Sequence, residues 1–153
     1  MEKIEIRKGK KEDLQQVLGL IIELAIYEKA PKEVVVTIGD LERDAFGERP
    51  IIDLFVAELN EEIVGTAIYY YNYSTWKGKC IYLEDIVVAQ KHRRKGIGTM
   101  LMDRMVELFK EEKAKRLMWQ VLDWNEPAIE FYKKYNAIIE PEWLNCKLID
   151  SQF

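Results

Sequence analysis

The chain has 153 residues, of which 48% are hydrophobic, and this suits one globular domain with a sizeable buried core. Its formal net charge of −4 argues against a general binder of nucleic acid or acidic membranes, because such proteins usually carry a broad basic surface. Two cysteines and one histidine give neither a disulfide framework nor a metal-ligand spacing. We therefore expect one domain over residues 1–153 that binds no metal.

The N-terminal segment MEKIEIRKG lacks the apolar core of a signal peptide. No run of the sequence approaches the roughly 18 consecutive apolar residues that a membrane-spanning helix needs. The expected location is therefore the reducing cytoplasm, without attachment to a membrane.

The first third of the chain predicts one strand and two helices. Residues 3–9 alternate between apolar and polar side chains, which is typical of a strand. Apolar residues at helical spacing over 14–25 predict a helix that ends near residues 27–28. Glycine and proline bracket a shorter helical segment at 37–50.

Three β-rich runs follow, at 51–59, 63–73 and 80–89. The first two are separated by residues 60–62, a spacing that predicts a hairpin with a short loop. The three runs together predict an antiparallel meander.

The C-terminal half alternates between helices and strands. A helical stripe of apolar residues starts near Ile97 and runs through Leu101 and Met105. The apolar run at 116–122 predicts a buried strand, and the pattern over 125–135 predicts a helix. Asn125 is the expected N-cap of that last helix, with Pro127 in its first turn. One or two closing strands are expected in 138–149. This order of elements predicts an α/β protein with a mixed sheet.

The turn KHRRKGIG at 91–98 combines basic side chains with two glycines between a strand and a helix. Backbone N–H groups at a helix start attract anions, and glycine lets the backbone come close to a ligand. The turn therefore predicts a phosphate or pyrophosphate site. The alternative, a structural turn with solvated basic side chains, stays open from these residues alone. The GxxxxGK[ST] and early GxGxxG nucleotide motifs are not found.

Three sequence stretches resemble the GNAT N-acetyltransferase superfamily. Arg-x-x-Gly-x-Gly at 93–98 is similar to its acetyl-coenzyme A loop. YSTWKGKCIYLEDIVV at 73–88 and VLDWNEPAIEFYKKY at 121–135 resemble the spermidine/spermine acetyltransferases and, most of all, the thialysine acetyltransferases. ELAIYEK and DAFGERP fit the same group. The resemblance implies one N-acetyltransferase domain over 1–153, with a mixed, mostly antiparallel twisted sheet flanked by helices.

Acetyl transfer from a thioester to an amine makes three chemical demands. An aliphatic ammonium has a pKa near 10.4, so about one molecule in a thousand is a free nucleophile at neutral pH, and a general base is useful. The carbonyl oxygen gains negative charge and needs hydrogen-bond donors, usually backbone N–H groups. The leaving thiolate needs a proton from an acid.

Glu84 is an acid in an otherwise apolar strand. Strict alternation would place it with Tyr82, on the face opposite Asp85. A solvated or salt-bridged carboxylate is the plain interpretation of Glu84. The resemblance instead implies that it is a general base that deprotonates the substrate amine through water. It also implies that the strands beside 86–88 splay apart and leave their backbone to the acetyl group and pantetheine arm.

Tyr132 lies in the helix over 125–135, where periodicity alone makes it a core or boundary residue. The resemblance implies that it is the general acid that protonates the coenzyme A thiolate. Asn125 is an N-cap on physical grounds and a donor contact by resemblance. The donor-binding residues implied by the resemblance are Ile86, Val87, Val88, Arg93, Arg94, Lys95, Gly96, Ile97, Gly98, Thr99, Asn125, Pro127, Ala128 and Tyr132.

An acidic chain whose Tyr27, Trp76 and Trp124 can pack along alkyl chains or cations favours a cationic substrate. The substrate contacts implied by the resemblance are Tyr27, Glu28, Ser74, Thr75, Trp76, Glu84, Asp85, Asp123 and Glu142, with Glu140 as the alternative to Glu142. Ser74-Thr75 and Leu122-Asp123 resemble the thialysine branch. The expected substrate is therefore a primary amine of a small cationic aliphatic molecule; spermidine, spermine or a diamine, and a protein or peptide amine, are alternatives.

Two other classes of function stay open. The basic cluster at 91–95 would suit a nucleic-acid-binding module, although one cluster in an acidic chain is little for a surface that tracks phosphates. A protein that senses acyl-coenzyme A without catalysis would keep the glycine turn. The resemblance favours an enzyme that works as a homodimer, with a small amine as partner and neither nucleic acid nor membrane.

Overall fold

The computed structural model describes residues 3–153. They form two compact units, the first ending at Gln120 and the second spanning Val121–Phe153. The single domain expected over 1–153 stays a prediction.

The first unit contains a five-stranded mixed sheet in which the strands follow each other in chain order. Its strands are β1 (Ile4–Lys8), β2 (Asp53–Leu59), β3 (Glu62–Ser74), β4 (Gly78–Val88) and β5 (Leu117–Met118). The first four pair antiparallel, and β5 pairs parallel to β4. This confirms the predicted meander and the α/β class with a mixed, mostly antiparallel sheet.

Three helices belong to the first unit: α1 (Leu14–Tyr27), α2 (Ile38–Phe46) and α3 (Ile97–Glu111). The second unit contains α4 (Glu126–Lys133). The end of α1 at Tyr27 agrees with the prediction. α2 begins with a capping box, in which the hydroxyl of Thr37 accepts from the Asp40 N–H at 3.1 Å and the Asp40 carboxylate accepts from the Thr37 N–H at 2.9 Å.

The core of the first unit lies on both faces of the sheet. On one face, α1 and α2 bury an apolar cluster that consists of Leu14, Val17, Leu20, Leu41, Leu54, Val56, Ile63, Ile68, Val87 and Ala89. On the other face, α3 approaches β3 at Gly65, where an added Cβ would lie 3.1 Å from Leu101 and 3.2 Å from Ile97. Glycine at this position therefore sets how closely α3 packs on the sheet.

The hairpin between β2 and β3 has a two-residue turn. Asn60 and Glu61 both adopt left-handed backbone angles, with φ of 50° and 66°. Two such residues match the right-handed twist of the strands they join. The predicted hairpin is confirmed.

An ion-pair cluster ties β1 to β2 and to the start of α1. The Arg7 guanidinium donates to Asp13 at 2.8 Å and to Glu58 at 2.6 Å. Asp13 is buried, so Arg7 is the cation that compensates its charge.

One of the two strand predictions near the C-terminus was wrong, and the other was too long. The strand expected over 116–122 is limited to Leu117–Met118, and 138–149 form no strand in the structure. Every side chain from 138 to 153 is exposed. Pro141 interrupts the apolar pattern of this segment, and a strand exists only where a neighbouring strand receives its backbone hydrogen bonds.

Candidate active site

A β-bulge at Glu84 shapes the middle of β4. Tyr69 pairs with Leu83 and Ile68 pairs with Asp85, so Glu84 is an extra residue that has no partner on β3. Residues that pair across antiparallel strands share a face. Asp85 therefore lies on the same face as Tyr82, and the alternation predicted for this strand was wrong beyond the bulge.

Three carboxylates converge next to the bulge. Glu84 is exposed, and its Oε1 accepts a hydrogen bond from the Tyr70 hydroxyl at 3.2 Å. Burial raises the pKa of Asp85 to about 6, and the negative charges of Glu84 and Glu28 add to this effect. Glu28 follows α1, and burial raises its pKa too. Such a cluster attracts a cation, and it includes a carboxyl that titrates near neutral pH.

Arg93 connects the basic turn to the end of α1. Its guanidinium lies 5.2 Å from the centre of the Tyr27 ring, and its Nε donates to the Val88 carbonyl at 3.4 Å. Tyr27, Glu28 and the carboxyl end of β4 are therefore neighbours, as the sequence predicts for parts of one site.

The edge of β4 that faces β5 is largely open. β5 pairs with Ile81 and Tyr82. Among residues 3–153, no strand pairs with this edge beyond Tyr82, whereas on its other side β4 stays paired with β3 as far as Val88. An extended ligand can hydrogen-bond to such an edge, and the splay expected at 86–88 stays a prediction.

The basic turn leads into the N-terminus of α3. Gly96 has a φ of 78°, a left-handed conformation that favours glycine, and an added Cβ there would meet no atom within 4 Å. The first helical hydrogen bond runs from the Met100 N–H to the Gly96 carbonyl at 3.1 Å. The helix ladder therefore begins after Ile97, Gly98 and Thr99, whose backbone lies at the positive end of the helix dipole.

The start of the basic turn is held by the hairpin between β2 and β3. Lys91 Nζ lies 3.0 Å from the Glu62 carboxylate, and His92 Nδ1 lies 3.2 Å from Lys95 Nζ. Lys91 thus contacts protein, whereas Arg94 is exposed at the turn.

The hairpin between β3 and β4 carries three of the predicted substrate residues at its tip. The Ser74 hydroxyl accepts from the N–H groups of Trp76 at 3.2 Å and Lys77 at 3.1 Å, and Trp76 is 85% exposed. Ser74 lies four positions after Tyr70 in β3, which is roughly 13 Å along an extended strand. The first unit therefore does not bring Ser74, Thr75 and Trp76 to Glu84.

The second unit contains the remaining predicted residues. Asn125 caps α4, because its side-chain oxygen accepts from the Ala128 N–H at 3.3 Å, and Pro127 lies in the first turn, as predicted. Tyr132 is buried, with its ring edge-on to Phe131 at 5.4 Å. Three carboxylates of this unit, on Asp123, Glu140 and Glu142, are exposed.

Comparison with known proteins identifies the family of the chain. Residues 22–137 match the model of the Acetyltransferase (GNAT) family. The chain belongs to the GNAT acetyltransferase family. It is 38% identical to thialysine N-epsilon-acetyltransferase of Bos taurus over 151 residues, which cover 92% of this chain and 89% of that protein.

A human relative of this GNAT acetyltransferase, spermidine/spermine N(1)-acetyltransferase-like protein 1, is 32% identical over 90% of the chain and 21% of its own length. Among solved structures, an integron cassette protein of V. cholerae superposes with a TM-score of 0.77, at 24% identity over 95% of this chain and 92% of the other. The family and its named relatives establish an enzyme that acetylates amines.

GNAT acetyltransferases take their acetyl group from acetyl-coenzyme A, and the first unit has features that suit this donor. The open edge of β4 suits its amide-containing arm, and the α3 N-terminus beside basic side chains suits its pyrophosphate. Within 3–153, no group of three His, Cys, Asp or Glu side chains is arranged to hold a metal ion. No helix in the same residues is long and apolar enough to cross a membrane.

One contact of this GNAT acetyltransferase escaped the sequence analysis. Tyr70 was read as part of an aromatic β-rich run, which indicates strand propensity and nothing about partners. Its hydrogen bond to Glu84 depends on the bulge, because the bulge sets which β4 side chain stands beside Tyr70.

Proposed function

We propose that this enzyme transfers the acetyl group of acetyl-coenzyme A directly to a primary amine of a small cationic aliphatic substrate of the thialysine type. The observation that carries the proposal is the convergence of Glu28, Glu84 and Asp85 next to the open edge of β4. The identity to thialysine acetyltransferases over most of both chains supports the choice of substrate.

In the proposed mechanism the first unit holds the donor. The backbone of Ile86, Val87 and Val88 bonds to the acetyl group and the arm. The turn from Arg93 to Thr99 receives the pyrophosphate, with charge from the basic side chains and close approach at the glycines. Asn125, Pro127 and Ala128 are proposed as further donor contacts from the second unit.

Glu84 is proposed as the general base. It accepts a proton from the substrate ammonium through a water molecule, and the amine nitrogen then forms its bond to the acetyl carbon as the carbon–sulfur bond breaks. Tyr132 donates its phenol proton to the leaving sulfur, for which a protonated tyrosine at neutral pH is suited. Asp85 and Glu28 attract the cationic substrate by charge.

The substrate assignment is tested by measuring the release of coenzyme A thiol. The acceptors are thialysine, lysine, putrescine, spermidine, spermine and an amine-bearing peptide, with a reaction without acceptor as control. We expect the highest kcat/KM with thialysine. A polyamine or the peptide at the top of the ranking would instead establish that class as the substrate.

The role of Glu84 is tested with Glu84→Gln across a range of pH. The variant should lose most kcat/KM at low pH and least at high pH, where more of the amine is already free. Glu61→Gln, on the exposed turn between β2 and β3, is the control and should keep the wild-type profile. A defect of Glu84→Gln that is equal at every pH would assign Glu84 to binding.

A homodimer is proposed as the working form. Large apolar side chains are exposed at the β3–β4 hairpin, as at Tyr73, and in the second unit, as at Ile138, Leu144 and Phe153. Association would remove such side chains from water, and this supports the proposal. Sedimentation velocity at the assay concentration tests this proposal, and a fully active monomer would refute it.

A further inference from the structure

Tyr70 contacts the proposed general base from the neighbouring strand. Its hydroxyl donates to Glu84 Oε1 at 3.2 Å, and this bond joins β3 to the bulged residue of β4. The ring of Tyr70 stacks on that of Tyr82, with 5.3 Å between the ring centres and 27° between their planes. The phenol is therefore held by a second aromatic ring while its oxygen reaches the carboxylate.

The direction of this hydrogen bond is fixed by chemistry. Burial, followed by the negative charge of Glu84, raises the pKa of Tyr70 to about 12. The hydroxyl consequently keeps its proton throughout the working range of an enzyme and acts as donor. A carboxylate oxygen accepts such a bond, so Tyr70 holds the Glu84 side chain without giving up its own proton.

Glu84 needs such a contact because of its place in the strand. As the extra residue of the bulge it has no partner on β3, and its side chain is exposed. A glutamate in this situation samples many rotamers in water. The hydrogen bond fixes one carboxylate oxygen and leaves the other available to the water molecule of the proposed mechanism.

We propose that Tyr70 is a positioning residue for amine activation: its hydroxyl orients the Glu84 carboxylate toward the ammonium group that is to be deprotonated. This inference rests on the proposed function of Glu84. The ionisable groups that face this carboxylate are Tyr70 from β3, Tyr82 and Asp85 from β4, and, through Asp85, Glu28 after α1.

The test compares Tyr70→Phe with Tyr82→Phe. Tyr70 lines an open cavity of about 520 Å³ together with Pro50, Ile51 and Ile52, so loss of one oxygen there leaves the packing in place. Tyr82→Phe also removes one hydroxyl from the same aromatic pair, but that hydroxyl makes no hydrogen bond to Glu84 among the contacts described here. The two variants therefore differ in the contact under test.

The measurements are kcat, both KM values and the pH profile of kcat/KM, together with urea unfolding. For Tyr70→Phe we expect a kcat about tenfold lower at neutral pH, as for the loss of one hydrogen bond to a carboxylate. The KM for acetyl-coenzyme A and the urea midpoint should stay at wild-type values. Tyr82→Phe should keep the wild-type profile.

Glu84→Gln, alone and combined with Tyr70→Phe, separates this inference from the proposed function. If Tyr70 acts through Glu84, the double variant loses no more kcat than Glu84→Gln alone. An impaired Glu84→Gln with a wild-type Tyr70→Phe profile would overturn the role of Tyr70 and leave Glu84 as base. A loss of kcat in Tyr82→Phe as large as that in Tyr70→Phe would likewise overturn it. An unimpaired Glu84→Gln would instead refute the proposed function.

Discussion

Replacing Asp85 by asparagine should stabilise the protein, and should do so more strongly at high pH. Burial and the nearby charges of Glu84 and Glu28 raise the pKa of Asp85 from 3.8 to about 6. The folded state thus binds the Asp85 proton more tightly than the unfolded state does. The free energy of unfolding consequently falls as the pH rises from about 4 to about 6, and the loss is complete above that window.

The size of the effect follows from the two pKa values. The difference between 3.8 and about 6, at about 1.36 kcal/mol per pH unit, gives a cost of about 3 kcal/mol for the charged side chain at pH 8. At pH 4.5 the same relation gives about 1 kcal/mol. Asn has nearly the shape of Asp and no charge, so Asp85→Asn should recover these amounts.

Urea unfolding of wild type and Asp85→Asn at pH 4.5 and pH 8 measures both values. In thermal unfolding, the melting temperature of Asp85→Asn should exceed that of the wild type by roughly 6–12 °C at pH 8 for a chain of this length, and by roughly 2–4 °C at pH 4.5. Asp150→Asn is the matched control at an exposed site, and should change the free energy of unfolding by less than about 0.5 kcal/mol at either pH.

An equal gain at both pH values, or no gain at pH 8, would refute the electrostatic explanation. Activity is expected to move the other way, with a higher KM for the amine, because Asp85, whose charge destabilises the fold, is proposed to attract the substrate. A stabilised variant with an unchanged KM would separate Asp85 from substrate binding.

Four further variants test other parts of the molecule. Tyr132→Phe should lose at least about 100-fold in kcat while its KM for acetyl-coenzyme A changes little, and an unchanged kcat in the thiol-release assay would remove Tyr132 as the acid. Gly96→Ala should lower the free energy of unfolding in urea by about 1 kcal/mol because Gly96 has a left-handed φ, whereas Gly98→Ala should leave that free energy unchanged. Both variants should raise the KM for acetyl-coenzyme A. Equal losses of stability in the two variants would contradict the explanation from φ. Arg7→Met should lower the free energy of unfolding by about 3 kcal/mol, because it leaves the buried carboxylate of Asp13 without its cation. The kcat/KM of this variant should stay at the wild-type value.

Local patterns predicted the elements whose boundaries are set by local chemistry. The hairpin at 60–61, the end of α1 and the cap at Asn125 follow from turn and capping residues that act within a few positions of the chain. The glycine turn before α3 was predictable for the same reason, because Gly96 meets a backbone demand that is visible in the sequence.

Features that depend on a partner strand could not be predicted from the sequence. The bulge at Glu84 arises from pairing with β3, and nothing within 80–89 signals it. The strands expected in 138–149 fail for a related reason, because apolar residues supply side chains for a sheet but not the neighbouring edge that it needs. Sequence reasoning therefore placed Asp85 on the wrong face and did not find Tyr70.

The extra residue in β4, Glu84, divides the strand into two stretches with different surroundings. Leu83 and the residues before it continue the aromatic hairpin, while Asp85 and the residues after it present the open backbone edge. Because the bulge shifts the pairing with β3 by one residue, the side chains that point to a given face of the sheet follow a different alternation before and after Glu84. The side chains of the hairpin stretch can therefore change while the open edge, proposed to receive the acetyl donor, keeps its register. A single inserted residue thus uncouples the side chains of the hairpin from the backbone register of the open edge.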